Sequence, residues 1–173
     1  MRRGAAACVI VAAFLGAGCG YHVGGHADLL PLGIHTIAVP PFTNNTTRYK
    51  LTEQLPEAIT QEFITRTRYR IVADPKDADA VLTGTVVSYT YYPTTLDPAT
   101  GRASAVQVSV ALDVTLRDRG TGAVLFSRQG MDFRNRYEVS VDQSAYFDES
   151  DAAMFRLSRD AARSVVSAIL EGF

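Results

Sequence analysis

Cysteine is nearly absent from this chain of 173 residues: there are two, Cys8 and Cys19. The three histidines, His22, His26 and His35, all lie near the N-terminus, and two glycines between the first two spoil the regular spacing a metal pair would need. GxSxG, GxxxxGK[ST], HExxH and calcium-loop patterns are missing, so the local signatures of hydrolases and nucleotide enzymes are not here. An enzyme is not expected, nor is a cofactor or a metal. Positive charge is not in excess either, with 17 basic against 18 acidic residues, which excludes a uniformly basic nucleic-acid binder. The apolar stretch from Gly4 to Leu15 falls short of the ~20 residues that span a bilayer as a helix.

What is present begins at that stretch. Arg2 and Arg3 precede it, and Gly16, Ala17 and Gly18 follow before Cys19, which is the order of a secretory signal ending in small residues at a cleavage point. Residues 1–18 are therefore expected to be removed as a lipoprotein signal peptide, leaving Cys19 as the lipid-bearing first residue. The pattern resembles a lipobox with Gly16, rather than a large apolar residue, three positions before the cysteine. An ordinary secretory signal with an incidental cysteine is the alternative. Cysteine arithmetic favours the anchor, since a lone thiol outside the cytoplasm has no internal partner and acylation would cap it. Acyl chains buried at about 0.8 kcal/mol per methylene hold a protein to a membrane without a spanning helix. Without Arg2 and Arg3 the mature chain has 15 basic and 18 acidic residues, a formal charge of −3.

Residues 19–33 follow as lipid anchor and Gly-rich tether, and 34–173 as a single domain. Ile34 to Val39 reads as a buried strand stopped by Pro40 and Pro41, and Thr43 to Lys50 as a loop. Leu51, Leu55, Ala58, Ile59, Glu62 and Phe63 recur at helical spacing, with only Glu62 polar on that face, and regular helix is expected only from near Leu55 because of Pro56. Tyr69 to Ala73 is a second strand, giving a parallel strand–helix–strand unit. A third runs from Ala80 to Tyr92 and is expected to end at Pro93. From Val106 to Leu116 every second residue is Val or Leu, the clearest strand in the chain. The link RDRGTG joins it to another long strand as a hairpin.

A final helix carries Asp148, Ser150 or Asp151 as candidate caps and a stripe of Phe155, Ala162, Val165, Val166, Ile169 and Leu170. The acidic cluster Asp148, Glu149, Asp151 fits the positive end of that helix better than paired-carboxylate catalysis. The expected fold class is α+β: a two-layer sandwich with two helices on one face of a mixed, mainly antiparallel sheet.

Arginine is distributed unevenly. Arg66, Arg68 and Arg70 follow the first helix, and Arg102, Arg117, Arg119, Arg128, Arg134 and Arg136 decorate the long strands and their turns. Guanidinium forks onto phosphate, although charges on a sheet edge also simply discourage aggregation.

With the lipobox, CGYHV after it, IAVPPFTNNTTR, the strand DADAVLTGTVVSY, the valine strand and the terminal helix, the chain resembles the LPS-assembly lipoprotein family LptE. That resemblance implies an outer-membrane lipoprotein, anchored in the inner leaflet and facing the periplasm. Its partners would be lipopolysaccharide and an LptD-type barrel that it plugs and helps assemble. Gly20 in place of Asp implies delivery to the outer membrane, again by analogy. Basic residues would hold the lipopolysaccharide phosphates, and Arg102 and Arg128 are the first candidates, with Arg117 and Arg119 beside them. IAVPPFTNNT also resembles lipoproteins of the curli-secretion and penicillin-binding-protein-activator kind, which would imply pore assembly or synthase activation instead.

Overall fold

The computed structural model describes residues 30, 31, 33–139 and 143–172, with side chains in the last helix from Ser150 onward. The predicted signal peptide, Cys19, the tether to residue 29, His22 and His26 lie outside the described residues. The strands are β1 (Thr36–Ala38), β2 (Thr43–Asn44), β3 (Arg70–Val72), β4 (Ala80–Leu96), β5 (Ala103–Asp118) and β6 (Val124–Glu138); the helices are α1 (Leu51–Arg66) and α2 (Gln143–Glu171). They make one six-stranded sheet in the order β3-β1-β4-β5-β6, with β2 also paired to β4. β1 is parallel to β3 and β4, whereas β4, β5 and β6 form an antiparallel meander. Two helices against this mixed sheet give the α+β sandwich expected from the sequence.

β5 sets the layering. Val106, Val108, Val110, Leu112, Val114 and Leu116 are all buried, while the alternate residues face a wetter surface. Because strand side chains alternate faces, this one strand decides which side takes the helices. Leu51, Leu55, Ile59 and Phe63 of α1 and Leu157, Val165, Val166 and Ile169 of α2 fill that side. Burial of each large aliphatic or aromatic side chain contributes roughly 1.5–3 kcal/mol. Leu30 and Ile34, ahead of β1, join the same core, and the Leu30 amide donates to the Tyr69 hydroxyl at 3.1 Å.

Several expectations are corrected. α1 starts at Leu51 rather than near Leu55, with Pro56 inside it. Proline has no N–H to give the carbonyl four residues back, which is that of Thr52, and the Phe42 N–H takes this carbonyl at 3.2 Å instead. The loop 43–50 contains β2, parallel to β4 at Thr85 and Val86. β4 does not stop at Pro93 but pairs with β5 to Leu96. Past Val86 the side of β4 away from β5 has no strand partner among the described residues, and proline is tolerated on such an edge. α2 begins at Gln143, so Asp148, Ser150 and Asp151 lie within it rather than capping it. No glycine or proline between Met131 and Glu171 forces a later start. Phe155, expected in the apolar stripe, is 57% exposed; Ala153, Met154 and Leu157 are buried in that stretch.

A carboxylate clasps the start of β4 to β1. Asp79 Oδ2 accepts from the His35 and Thr36 amides and the Thr36 hydroxyl at 2.8–2.9 Å. These donors, the His35 amide foremost, hold the Asp79 carboxyl below the ordinary carboxylate range. A depressed folded-state value stabilises the fold above the unfolded value and is lost as pH falls through the folded one. Asp79→Ala is expected to cost about 1–3 kcal/mol at neutral pH, from donors left unpaired. It should also flatten the loss of stability on acidification below about pH 4, as checked by urea melts at several pH values. A parallel acid profile would show that the clasp is not a source of acid sensitivity.

Candidate functional site

The β4–β5 ladder runs from Ala80 opposite Asp118 to Leu96 opposite Ala103, about 50 Å at ~3.3 Å per residue. Its two ends differ. β1, β3 and β4 all start at one end, and Leu30, bonded to Tyr69 just before β3, brings the chain in there. The hairpin from Asp118 to Val124 sits at this entry end. The loop between β4 and β5 sits at the far end.

Arg102 closes that far loop. Asp97 Oδ1 accepts from the amides of Ala99 and Thr100, the Asp97 amide donates to the Arg102 carbonyl at 2.8 Å, and Gly101 supplies the positive φ the turn needs. Register then adds two arginines. Arg136 stands opposite Gln107 and Arg134 opposite Ser109, on the face of the sheet away from the helices. Arg136 reaches across β5 to donate to Thr95 Oγ1 at 2.9 Å, which puts its head group level with Ala105, about 10 Å from Arg102 along the strand. Arg134 pairs with Asp132 at 2.6 Å and is 65% exposed. The hydrogen bond to Asp132 raises its pKa further, so it stays charged at any physiological pH. Gln107, whose amide donates to the Tyr92 hydroxyl, lies among them. The result is an exposed surface on a rigid ladder that carries three guanidiniums, with the carboxylates of Asp97, Asp132 and Glu138 interspersed, and the guanidinium forks are suited to an anion such as phosphate.

The four arginines named from sequence are not brought together. Arg102 is at the far end. Arg117 lies about 50 Å from Arg102 along β5, at the entry end. Arg119 is beside Arg117 and has a structural partner, its Nε donating to the Ala78 carbonyl at 2.6 Å. Arg128 stands opposite Val114, about 36 Å from the far loop, on the helix-bearing face over the Phe126 ring. Arg134 and Arg136 were visible as residues spaced two apart on a strand, which places them on one face. Only the register to β5 shows that this face is also the one Arg102 borders.

Other chemistry is sparse among the described residues. No group of three His, Cys, Asp or Glu side chains could hold a metal, and no helix is long and apolar enough to cross a membrane. His35 is exposed.

The family model described as "LptE: Lipopolysaccharide-assembly" matches residues 34–169. No curated protein matches by sequence. Among solved structures, uncharacterized lipoprotein B from Nitrosomonas europaea is similar at 16% identity and TM-score 0.55, over 80% of this chain and 85% of that one. A lipoprotein from Caulobacter crescentus is similar at 15% and 0.53, over 75% and 88%. The PelC dodecamer from Paraburkholderia phytofirmans is similar at 17% and 0.51, over 78% and 87%. At these identities the likenesses concern the fold alone.

Proposed function

We propose, from the premise that this chain belongs to the lipopolysaccharide-assembly family LptE, that it is anchored through Cys19 in the inner leaflet of the outer membrane, where it plugs an LptD-type barrel. There it supports assembly of the barrel and helps deliver lipopolysaccharide to the outer surface. The observation that carries this reading is the separation of the two ends: the chain enters at one end of a ~50 Å ladder and Arg102, Arg134 and Arg136 lie towards the other. The apolar band of an outer-membrane barrel is about 25 Å tall. A plug of this length, held at the periplasmic leaflet, carries its arginine-bearing end through the barrel towards the outer surface. Lipopolysaccharide phosphates would meet guanidinium groups there by charge-assisted hydrogen bonds. The polar outer face of the sheet suits a wet lumen.

Solubilised outer membranes are expected to yield the protein in a stable complex of one copy with one large barrel protein, and mass spectrometry of the mature N-terminus to show an acylated Cys19. The PelC likeness gives the competing outcome its form, because that relative is a dodecamer on the same fold. Recovery as a closed ring with no barrel protein would overturn the plug reading. An unmodified N-terminus would overturn the anchor.

A further inference from the structure

Arg136 is held in place before any ligand arrives. It stands on β6 opposite Gln107, and its partner Thr95 stands on β4 opposite Ala105, so the side chain crosses the width of β5 to make its 2.9 Å bond. Such an arm needs a low point to pass over. Gln107 does not obstruct it, because its amide is drawn aside to the Tyr92 hydroxyl, and Ala105 is the small residue on the route. By register Ala105 is on the outer face, between Thr95 and Glu138, yet it is 3% exposed and does not belong to the core under the helices. A methyl group buried on the solvent side of a sheet is covered by a neighbouring side chain, and the apolar stem of an arginine does this while its head stays in water.

The chemistry of the hold differs between neighbouring arginines. Arg134 is paired with Asp132, which offsets part of its charge. Arg136 is held by a neutral hydroxyl and, among the described residues, by no carboxylate, although Glu138 stands opposite Ala105 on the same strand. A guanidinium has five N–H donors. Thr95 takes one of them and leaves the other four, with the positive charge, for an anion.

We infer that Thr95 and Ala105 are positioning residues for the anion site: Ala105 opens the path across β5, and Thr95 fixes the Arg136 fork without neutralising it. This rests on the reading of the arginine surface as the one that meets lipopolysaccharide phosphate. Preorganisation is the physical content. An arginine that is free in the unbound protein loses rotamer freedom when it grips a ligand, and one already held loses less. An aspartate at position 95 would hold the fork more strongly, by charge, but would compete with the phosphate for it. A hydroxyl gives the geometry and leaves the charge.

Titration of the full chain with lipopolysaccharide, beside the same lipopolysaccharide stripped of its phosphates, tests this. Thr95→Val keeps the shape of the side chain and removes the acceptor, and is expected to weaken binding about fivefold, the size of one hydrogen bond. Thr95→Ser, which keeps the hydroxyl, should bind as the wild type does. Ala105→Val, which raises a barrier under the arm, should also cost about fivefold. In an Arg136→Ala background neither Thr95→Val nor Ala105→Val should weaken binding further, and neither should change binding of the phosphate-free ligand. Thr95→Asp is expected to hold or raise the thermal midpoint while lowering affinity at least about tenfold. Equal losses with and without Arg136, or a loss in Thr95→Ser as large as in Thr95→Val, would overturn the positioning role and leave the site standing. A chain that binds neither ligand overturns the lipopolysaccharide reading itself, and the positioning role with it.

Discussion

Arg102→Glu, Arg134→Glu and Arg136→Glu together are expected to lower affinity for lipopolysaccharide by on the order of 10- to 100-fold, with little change in thermal stability. Each guanidinium is exposed, so each contact contributes at the modest end of charge-assisted bonding, and reversal adds repulsion to the loss. Arg102 and Arg134 make no tertiary contact that the fold depends on, and Arg136 gives up one exposed hydrogen bond to Thr95. Binding should weaken as salt rises, because exposed charges are screened over about 8–10 Å at physiological ionic strength. Arg117→Glu and Arg128→Glu serve as the comparison, since both sites are remote from the far loop. Surface-immobilised protein titrated with lipopolysaccharide gives the affinities. If the remote substitutions weaken binding and the triple variant does not, the cationic site belongs elsewhere on the domain.

Gly84→Ala should cost about 2–4 kcal/mol, far more than an ordinary surface change. Gly84 lies on the helix-facing side of β4 between Leu82 and Val86, and a Cβ there would collide with the ring of Phe42. Phe42 is 2% exposed and cannot swing into solvent without loss, and its amide holds the Thr52 carbonyl that Pro56 leaves free. One methyl group therefore disturbs the ring, the approach of β2 to β4 and the first turn of α1. In a Phe42→Ala background the added methyl has room, so Gly84→Ala there should be close to neutral. A double-mutant cycle by urea denaturation measures the difference as a coupling energy. Additive costs would mean that the glycine is required for some reason other than this ring.

Much of the fold was legible in the chain. The alternation from Val106 to Leu116 has only one structural solution, a strand with one buried face, and the structure bears it out residue by residue. The helical spacing of Leu51, Leu55, Ile59 and Phe63 was equally plain. The start of α1 was not, because the partner that makes Pro56 harmless is the Phe42 amide, ten residues upstream of the Thr52 carbonyl it serves and outside the helix. Phe155 shows the same limit. Helical periodicity gives a stripe, but the angle at which α2 meets the sheet chooses which edge of the stripe is covered, and Phe155 fell outside it.

The candidate site divides in the same way. Sequence alone determined that guanidinium side chains were available and on which strands they stood. Local periodicity and composition suffice for that, because each depends on residues close in the chain. Only the tertiary structure decided that Arg102 belongs with Arg134 and Arg136, and that Arg117, Arg119 and Arg128 lie apart. Strand register and the hairpin order carry that information, and a register is settled by pairing across the whole sheet, where a shift of one residue would have turned Arg134 and Arg136 to the other face.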